Sequence, residues 1–286
     1  MAKTTSGRPA TLILTGVLVA ILLAAIPARA GGPDSVLIVS IDALHPDALG
    51  GKTTPVLHRL MQQGRYTLAG QSVQPPKTLV AHTAMLTGLT PARNGKLDND
   101  WKPGEARVSL PTLFDDARKE NFLTAFYFAK PKLGYLVSAA INEHKLTPLD
   151  GIDHMRAFFR GQGRRLGFLH LSGLEYAGAD SGWMSAEYFA ELADIDSALA
   201  PLLAEVRARG AYAIVITSDH AGHDRQHGTN HPQDARLPLI VAANIAPLPR
   251  IPPGAWPITN LRELVRSLLR AEQAAATGAK ALPDKR

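Results

Sequence analysis

Cysteine is absent from the 286 residues. That excludes a disulfide framework, an iron–sulfur cluster, a thiolate zinc site and a cysteine nucleophile, and leaves the redox compartment unmarked. Aromatic residues are sparse at 6%, and no internal repeat, low-complexity linker or block of like charge divides the chain. With 45% hydrophobic and 20% charged residues, disorder, collagen and a polytopic membrane protein are excluded, and one large core is within reach. The formal charge of +6 is misleading: Lys3, Arg8 and Arg29 lie in a first segment with no acid, and without it the balance is +3. Nucleic acid is therefore not implied as a partner.

The first thirty residues read as an export signal. Lys3 and Arg8 precede an uncharged run from Pro9 to Ala28, apolar at its centre, and Ala28-Arg29-Ala30 follows; a basic start, an apolar middle and a small-residue cleavage site make the pattern. Cleavage after Ala30 would leave a periplasmic or secreted protein. The alternative is a retained anchor, which would be the chain's one membrane contact, and its apolar length falls at the short edge of the roughly 17–25 residues a span needs.

Beyond Ser35 short apolar runs alternate with amphipathic ones, the pattern of a mostly parallel sheet covered by helices on both faces, a three-layer α/β/α fold. Strands are predicted at 36–41, 122–128, 166–171, 212–217 and 237–242, and helices at 54–63, 79–87, 110–120, 185–209 and 259–276. One domain is expected over 34–271, followed by a flexible tail over 272–286. Ligands gather at the carboxyl ends of strands in such sheets, so Asp42, Glu175 and the run Ser218-Asp219-His220, each following a predicted strand, are expected at one rim. Carboxylates with imidazole suit zinc, with manganese or iron as alternatives.

Two further segments carry chemistry. In PPKTLVAHTAMLTG (75–88) Thr78 stands at a helix start beside Lys77, where backbone N–H groups and the dipole favour an alkoxide and a bound phosphate; taken alone, Thr78 reads as an ordinary N-cap. In TSDHAGHDRQHGTNH (217–231) four of the ten histidines fall beside two aspartates. Of these, His223 and His231 are expected to face solvent.

The blocks VLIVSIDALHPDAL (36–49), TPVLHRLMQQGRYTLAGQSVQPPKTLVAHTAMLTGLTPARNG (54–95) and SDHAGHDRQHGTN (218–230) resemble, in order and spacing, those of the alkaline phosphatase superfamily, in particular its bacterial type I phosphodiesterase and nucleotide pyrophosphatase-like branch. The resemblance covers about 36–270. It implies an alkaline-phosphatase-like fold and a metal-dependent hydrolase of small-molecule phosphate esters with Thr78 as nucleophile and His82 at the matching histidine. It implies a first metal held by Asp42, Thr78, Asp219 and His220. The second site of the family takes an aspartate, a histidine four residues on, and a later histidine; here Glu175, Ala179 and His227 occupy those positions. Alanine cannot ligate, so three outcomes are open: a one-metal enzyme, a two-metal enzyme whose second site is rebuilt and weakened with Asp180 or His223, or a family member that binds a phosphorylated ligand without efficient turnover. Ala81 replaces an asparagine of the nucleotide pyrophosphatases, so their diester specificity does not transfer. Lys77 and Asn99 are the expected substrate contacts, with Trp101 near the site; Lys130 and Lys132 also offer positive charge to a phosphate, but a place on the solvated surface is the favoured reading for both. A sulfatase shares the fold but needs a cysteine- or serine-derived nucleophile.

Overall fold

A computed structural model describes Met1 and residues 32–252 and 254–273. The predicted export segment and the tail beyond residue 273 lie outside the described residues. The strands are β1 (Ser35–Ile41), β2 (Arg65–Gln71), β3 (Leu123–Phe128), β4 (Glu143–Leu146), β5 (Arg165–Leu171), β6 (Tyr212–Thr217), β7 (Arg236–Ala243), β8 (Ile245–Ala246), β9 (Trp256–Pro257) and β10 (Glu272–Gln273). The helices are α1 (Pro55–Gln63), α2 (Thr78–Thr87), α3 (Pro91–Asn94), α4 (Leu113–Lys119), α5 (Gly151–Arg160), α6 (Gly173–Ser181), α7 (Ala186–Ala208) and α8 (Leu261–Arg270).

Eight strands form one sheet in the order β4-β3-β5-β1-β6-β7-β2-β9, and β8 with β10 forms a separate ribbon. Strand β1 runs parallel to both its neighbours, with Ser35 beside Arg165 of β5 and Tyr212 of β6. Strand β7 alone is reversed, antiparallel to β6 and to β2. All seven residues of β1 are buried, because both faces of the central strand are covered. On one face Val36, Ile38, Phe126 and Phe168 pack against Leu79 of α2, Phe114 of α4 and Leu268 of α8. On the other, Leu37, Val39, Leu169 and Ile214 meet Leu57 of α1, Phe159 of α5 and Leu199 of α7. The fold is thus the expected three-layer α/β/α sandwich.

Local chemistry explains the helix limits. Thr112 and Asp115 cap α4 reciprocally, Ser185 Oγ accepts from Tyr188 N at the start of α7, and Gly88 closes α2 in the left-handed region at φ 71°. The last helix is shorter than the 259–276 predicted: it ends at Arg270, and Glu272–Gln273 pairs with Ile245–Ala246 instead. Strands β2 and β4 and helices α5 and α6 were not anticipated. Strand β4 forms one edge and β2 is second from the other; β4 is exposed at every residue and β2 at both ends, so neither shows the unbroken apolar run of a doubly covered strand.

Candidate metal and phosphoryl-transfer site

The rim at the carboxyl ends of β1, β3, β5 and β6 collects the candidate residues. Asp42 follows β1 directly and is fully buried, as are Asp219 and His220 after β6. The next residue, Ala43, takes a left-handed φ of 66°, a strained conformation for a residue with a Cβ. It is held there because its carbonyl accepts from Tyr188 Oη at 2.9 Å and Trp183 Nε1 at 3.2 Å, while its N–H donates to Asp219 Oδ1 at 3.3 Å. The turn directs Asp42 and Asp219 at each other.

The protons around this pair are fixed by their partners. Nδ1 of His220 lies 2.9 Å from the Ala221 carbonyl, which can only accept, so Nδ1 carries the proton and Nε2 turns a lone pair inward. That lone pair faces Asp42 Oδ1 at 3.2 Å and Asp219 Oδ2 at 3.5 Å. All three atoms are buried and have no hydrogen-bond partner, and one ligand atom from each residue lies within 4.8 Å of the others. Three converging acceptors without a donor fit a divalent cation, so Asp42, Asp219 and His220 meet the requirements of the first site. Without a cation a proton fills the role: burial opposes charge on His220, but Asp219 and Asp42 outweigh it and raise its pKa to about 9. Burial and the Asp42 charge push the Asp219 carboxyl up to about 6.

Thr78 is the first helical residue of α2 and not its cap, Lys77 holding that position. Its backbone N–H and that of Leu79 belong to the open end of the helix, and Leu79 N donates to Asn99 Oδ1 at 2.8 Å. His82, one turn on, donates from Nδ1 to the Thr78 carbonyl at 2.7 Å and accepts from Ser40 Oγ at Nε2, 2.9 Å away. Both nitrogens are engaged, so His82 locks α2 to β1 and has no lone pair for the Thr78 hydroxyl. Lys77 runs along Gly228, where φ is 73° and a Cβ would meet the lysine stem at 2.9 Å; a glycine is required there.

The expected second metal site is occupied differently. His227 Nε2 meets Glu175 Oε1 at 3.0 Å, and the His227 ring stacks on His220 with centroids 4.6 Å apart. Ala179 and Asp180 are exposed on α6, and His223 is committed to Asp234 at 2.7 Å. Neither substitute enters the site. His231 is exposed as expected and stacks on His223. Glu175, His220 and His227 also bring ligand atoms within 4.8 Å of one another, but His220 has a single inward nitrogen, its Nδ1 being held by the Ala221 carbonyl, so once the first site uses it Glu175 and His227 alone are left, too few to hold a second metal beside the first.

Lys130 overturns the favoured of the two sequence readings. Far from being a solvated lysine, it is 7% exposed and its Nζ contacts Asp42 Oδ2 at 2.6 Å, Thr78 Oγ1 at 3.1 Å and Glu175 Oε2 closely. Burial opposes its charge, but Asp42, Glu175 and Asp219 raise its pKa. His170, inside β5, was also missed: it accepts from Ala129 N at Nδ1 and donates from Nε2 to Asp42 Oδ2 at 3.0 Å. For Lys130 the available signal was its place just past β3, the same rule that found Asp42. Trp101 is a second correction: it is a core residue packed on Gly134, with its indole donating to the Ala106 carbonyl at 3.1 Å. Lys132 is half-buried.

Comparison with known proteins gives a consistent answer. GPI ethanolamine phosphate transferase 1 of Neurospora crassa is 31% identical, over 68% of this chain and 22% of its own length, so the chain spans about a fifth of that relative. Among solved structures, human ectonucleotide pyrophosphatase / phosphodiesterase 5 superposes with a TM-score of 0.67 at 14% identity, covering 84% of this chain and 96% of its own. A 2-O GAG sulfatase does so with 0.67 at 12% identity, over 86% and 72%. The C-terminal periplasmic domain of EcEptC from Escherichia coli gives 0.59 at 12%, over 86% and 84%. These likenesses show the fold. The description "Type I phosphodiesterase / nucleotide pyrophosphatase" matches over residues 36–233, and the chain belongs to that family, within the alkaline phosphatase superfamily.

Proposed function

We propose that this chain is an exported, metal-dependent hydrolase of phosphate esters that uses Thr78 as its nucleophile. The observation that carries the reading is the convergence of three unpartnered buried acceptors, Asp42 Oδ1, Asp219 Oδ2 and His220 Nε2, beside a threonine hydroxyl at the open end of α2. A divalent ion held by those three residues and Thr78 would supply Lewis acidity that lowers the pKa of the hydroxyl. Thr78 Oγ1 forms a bond to phosphorus as the bond to the leaving alcohol breaks, the hydroxyl proton ending on that alcohol. Water then cleaves the phosphothreonine and returns a proton to Oγ1. The helix N-terminus and Lys77 place positive potential where the phosphoryl oxygens arrive, and Asn99, anchored on Leu79 N, lines the same mouth. Export rests on the first thirty residues; no helix of the described residues is long and apolar enough to cross a membrane.

The test is hydrolysis of 4-nitrophenyl phosphate and bis(4-nitrophenyl) phosphate by the zinc-loaded chain and its Thr78→Ala variant. Loss of at least about 10³-fold in the variant is expected for a removed nucleophile. No turnover above the variant on either ester would replace this reading with a ligand-binding one.

A further inference from the structure

We propose that the ε-ammonium of Lys130 stands where a second metal would be, so that the centre works with one divalent ion and one lysine. The catalytic part rests on the reading above; the structural part does not. Three observations converge on it. First, the Lys130 ammonium has three N–H donors and three acceptors, Asp42 Oδ2 at 2.6 Å, Thr78 Oγ1 at 3.1 Å and Glu175 Oε2 in close contact. Second, the ligand-type side chains on that side fall short of a separate site: Glu175 and His227 gather with His220, but the inward His220 nitrogen faces Asp42 and Asp219 of the first site, Glu175 Oε2 is held by Lys130, and the position one helical turn beyond Glu175 is Ala179, exposed on α6. Third, the charges close. Asp42, Asp219 and Glu175 are matched by one divalent ion and one ammonium, whereas a second divalent ion would bury excess positive charge and would have to expel a lysine.

The backbone that carries the lysine is held in place. Lys130 follows β3 in extended backbone and precedes a 3-10 turn, Pro131–Leu136, whose Leu133 and Leu136 are fully buried. The ammonium is thus delivered by a packed frame, and a buried lysine without its carboxylates would be strongly destabilising. In the transfer step it stays protonated. It strengthens its bond to Thr78 Oγ1 as negative charge develops there, and strengthens it again when Oγ1 leaves phosphorus.

Three measurements on the full chain test this. Zinc content by plasma mass spectrometry after loading and dialysis is expected at one equivalent, lost in Asp219→Asn; two equivalents in the wild type would overturn the proposal. Amine acetylation mapped by mass spectrometry is expected to spare Lys130 with and without zinc; labelling that appears on zinc loading would show the lysine displaced and would equally overturn it. Lys130→Ala is expected to lower kcat on bis(4-nitrophenyl) phosphate by about 10²–10³-fold, the cost of removing one donor to a developing oxyanion, and an unchanged kcat would remove its catalytic role. If the wild type turns over neither ester, the hydrolase reading fails while the first two measurements still decide the lysine's position.

Discussion

His82 offers a test whose magnitude can be worked from its surroundings. It is fully buried beside Ser40 and the Thr78 carbonyl, and burial, reinforced by His170 nearby, depresses its pKa from 6.5 to about 3. In the unfolded chain the imidazole takes up a proton near its ordinary value, whereas the folded chain refuses one until near the depressed value. Between the two the unfolded state binds more protons, so stability is present above about pH 6.5 and is lost as pH falls, with a limiting slope of about 1.4 kcal/mol per pH unit. From pH 6 to pH 4 this single ring therefore costs roughly 2.5 kcal/mol. His82→Gln cannot titrate. It loses the two hydrogen bonds and starts less stable by about 1–3 kcal/mol, but its deficit against wild type should shrink by roughly 2–2.5 kcal/mol over that interval. Urea unfolding of both proteins in chelator at half-unit steps reads the difference, and titrations common to both cancel. Two parallel stability curves would refute the argument, because they would mean that His82 is charged in the fold or hydrated there.

Zinc at about a hundred times its Kd should stabilise the chain by roughly 2.7 kcal/mol, about 5–11 °C in Tm for a domain of this size. Asp219→Asn should abolish the shift, and a wild type that melts at the same temperature with zinc and with chelator would count against the first site. Asp196, 1% exposed in the middle of α7, accepts from Val56 N at 2.9 Å and Leu57 N at 2.8 Å and so closes the start of α1. Asp196→Ala should cost about 1–3 kcal/mol in urea unfolding, since it leaves the buried Leu57 N–H and the partly buried Val56 N–H unmet, with Asp196→Asn closer to wild type. Asp234 accepts from Thr229 N and Oγ1 and from His223. Burial would raise its carboxyl, but those bonds win and hold it below the usual range, so its contribution is present above about pH 4 and lost as pH falls further. Asp234→Asn should remove that acid dependence and raise amide exchange across 226–231; unchanged exchange would show that the loop is held by other contacts.

The legibility of the site follows the physics of each signal. Asp42 and Asp219 were readable because each ends a strand buried on both faces, and such strands announce themselves as apolar runs. Thr78 sits where a helix start was expected, and the structure brings Asn99, from the loop after α3, onto Leu79 N beside it. Lys130 obeys the same strand-end rule but is a lysine, whose ordinary place is in water, and only the three-dimensional meeting of Asp42, Glu175 and Thr78 makes its burial tolerable. His170 lies inside β5, where periodicity marks it as core and nothing local reveals that it faces a carboxylate. Trp101 was placed near the site by the resemblance alone; Gly134 opens the space that takes its ring into the core. Strand β4 at one edge and β2 next to the short edge strand β9 at the other lack the covered faces that would have made them apolar.

The pairing of β1 has a consequence for the order in which this molecule can be assembled. Its neighbours are β5 and β6, with Ser35 against Arg165 and Tyr212, so the first strand of the sheet waits for segments that lie far along the chain. The loop-closure entropy of both pairings must be met before their contacts contribute, which places the centre of the sheet late in folding. Asp42 and His220 hang from the ends of these strands and are strangers in every earlier species. A partly folded chain therefore has no high-affinity trap for zinc, and metal uptake would clock the completion of the native sheet: its rate, followed with a chromogenic chelator, should match the final folding phase.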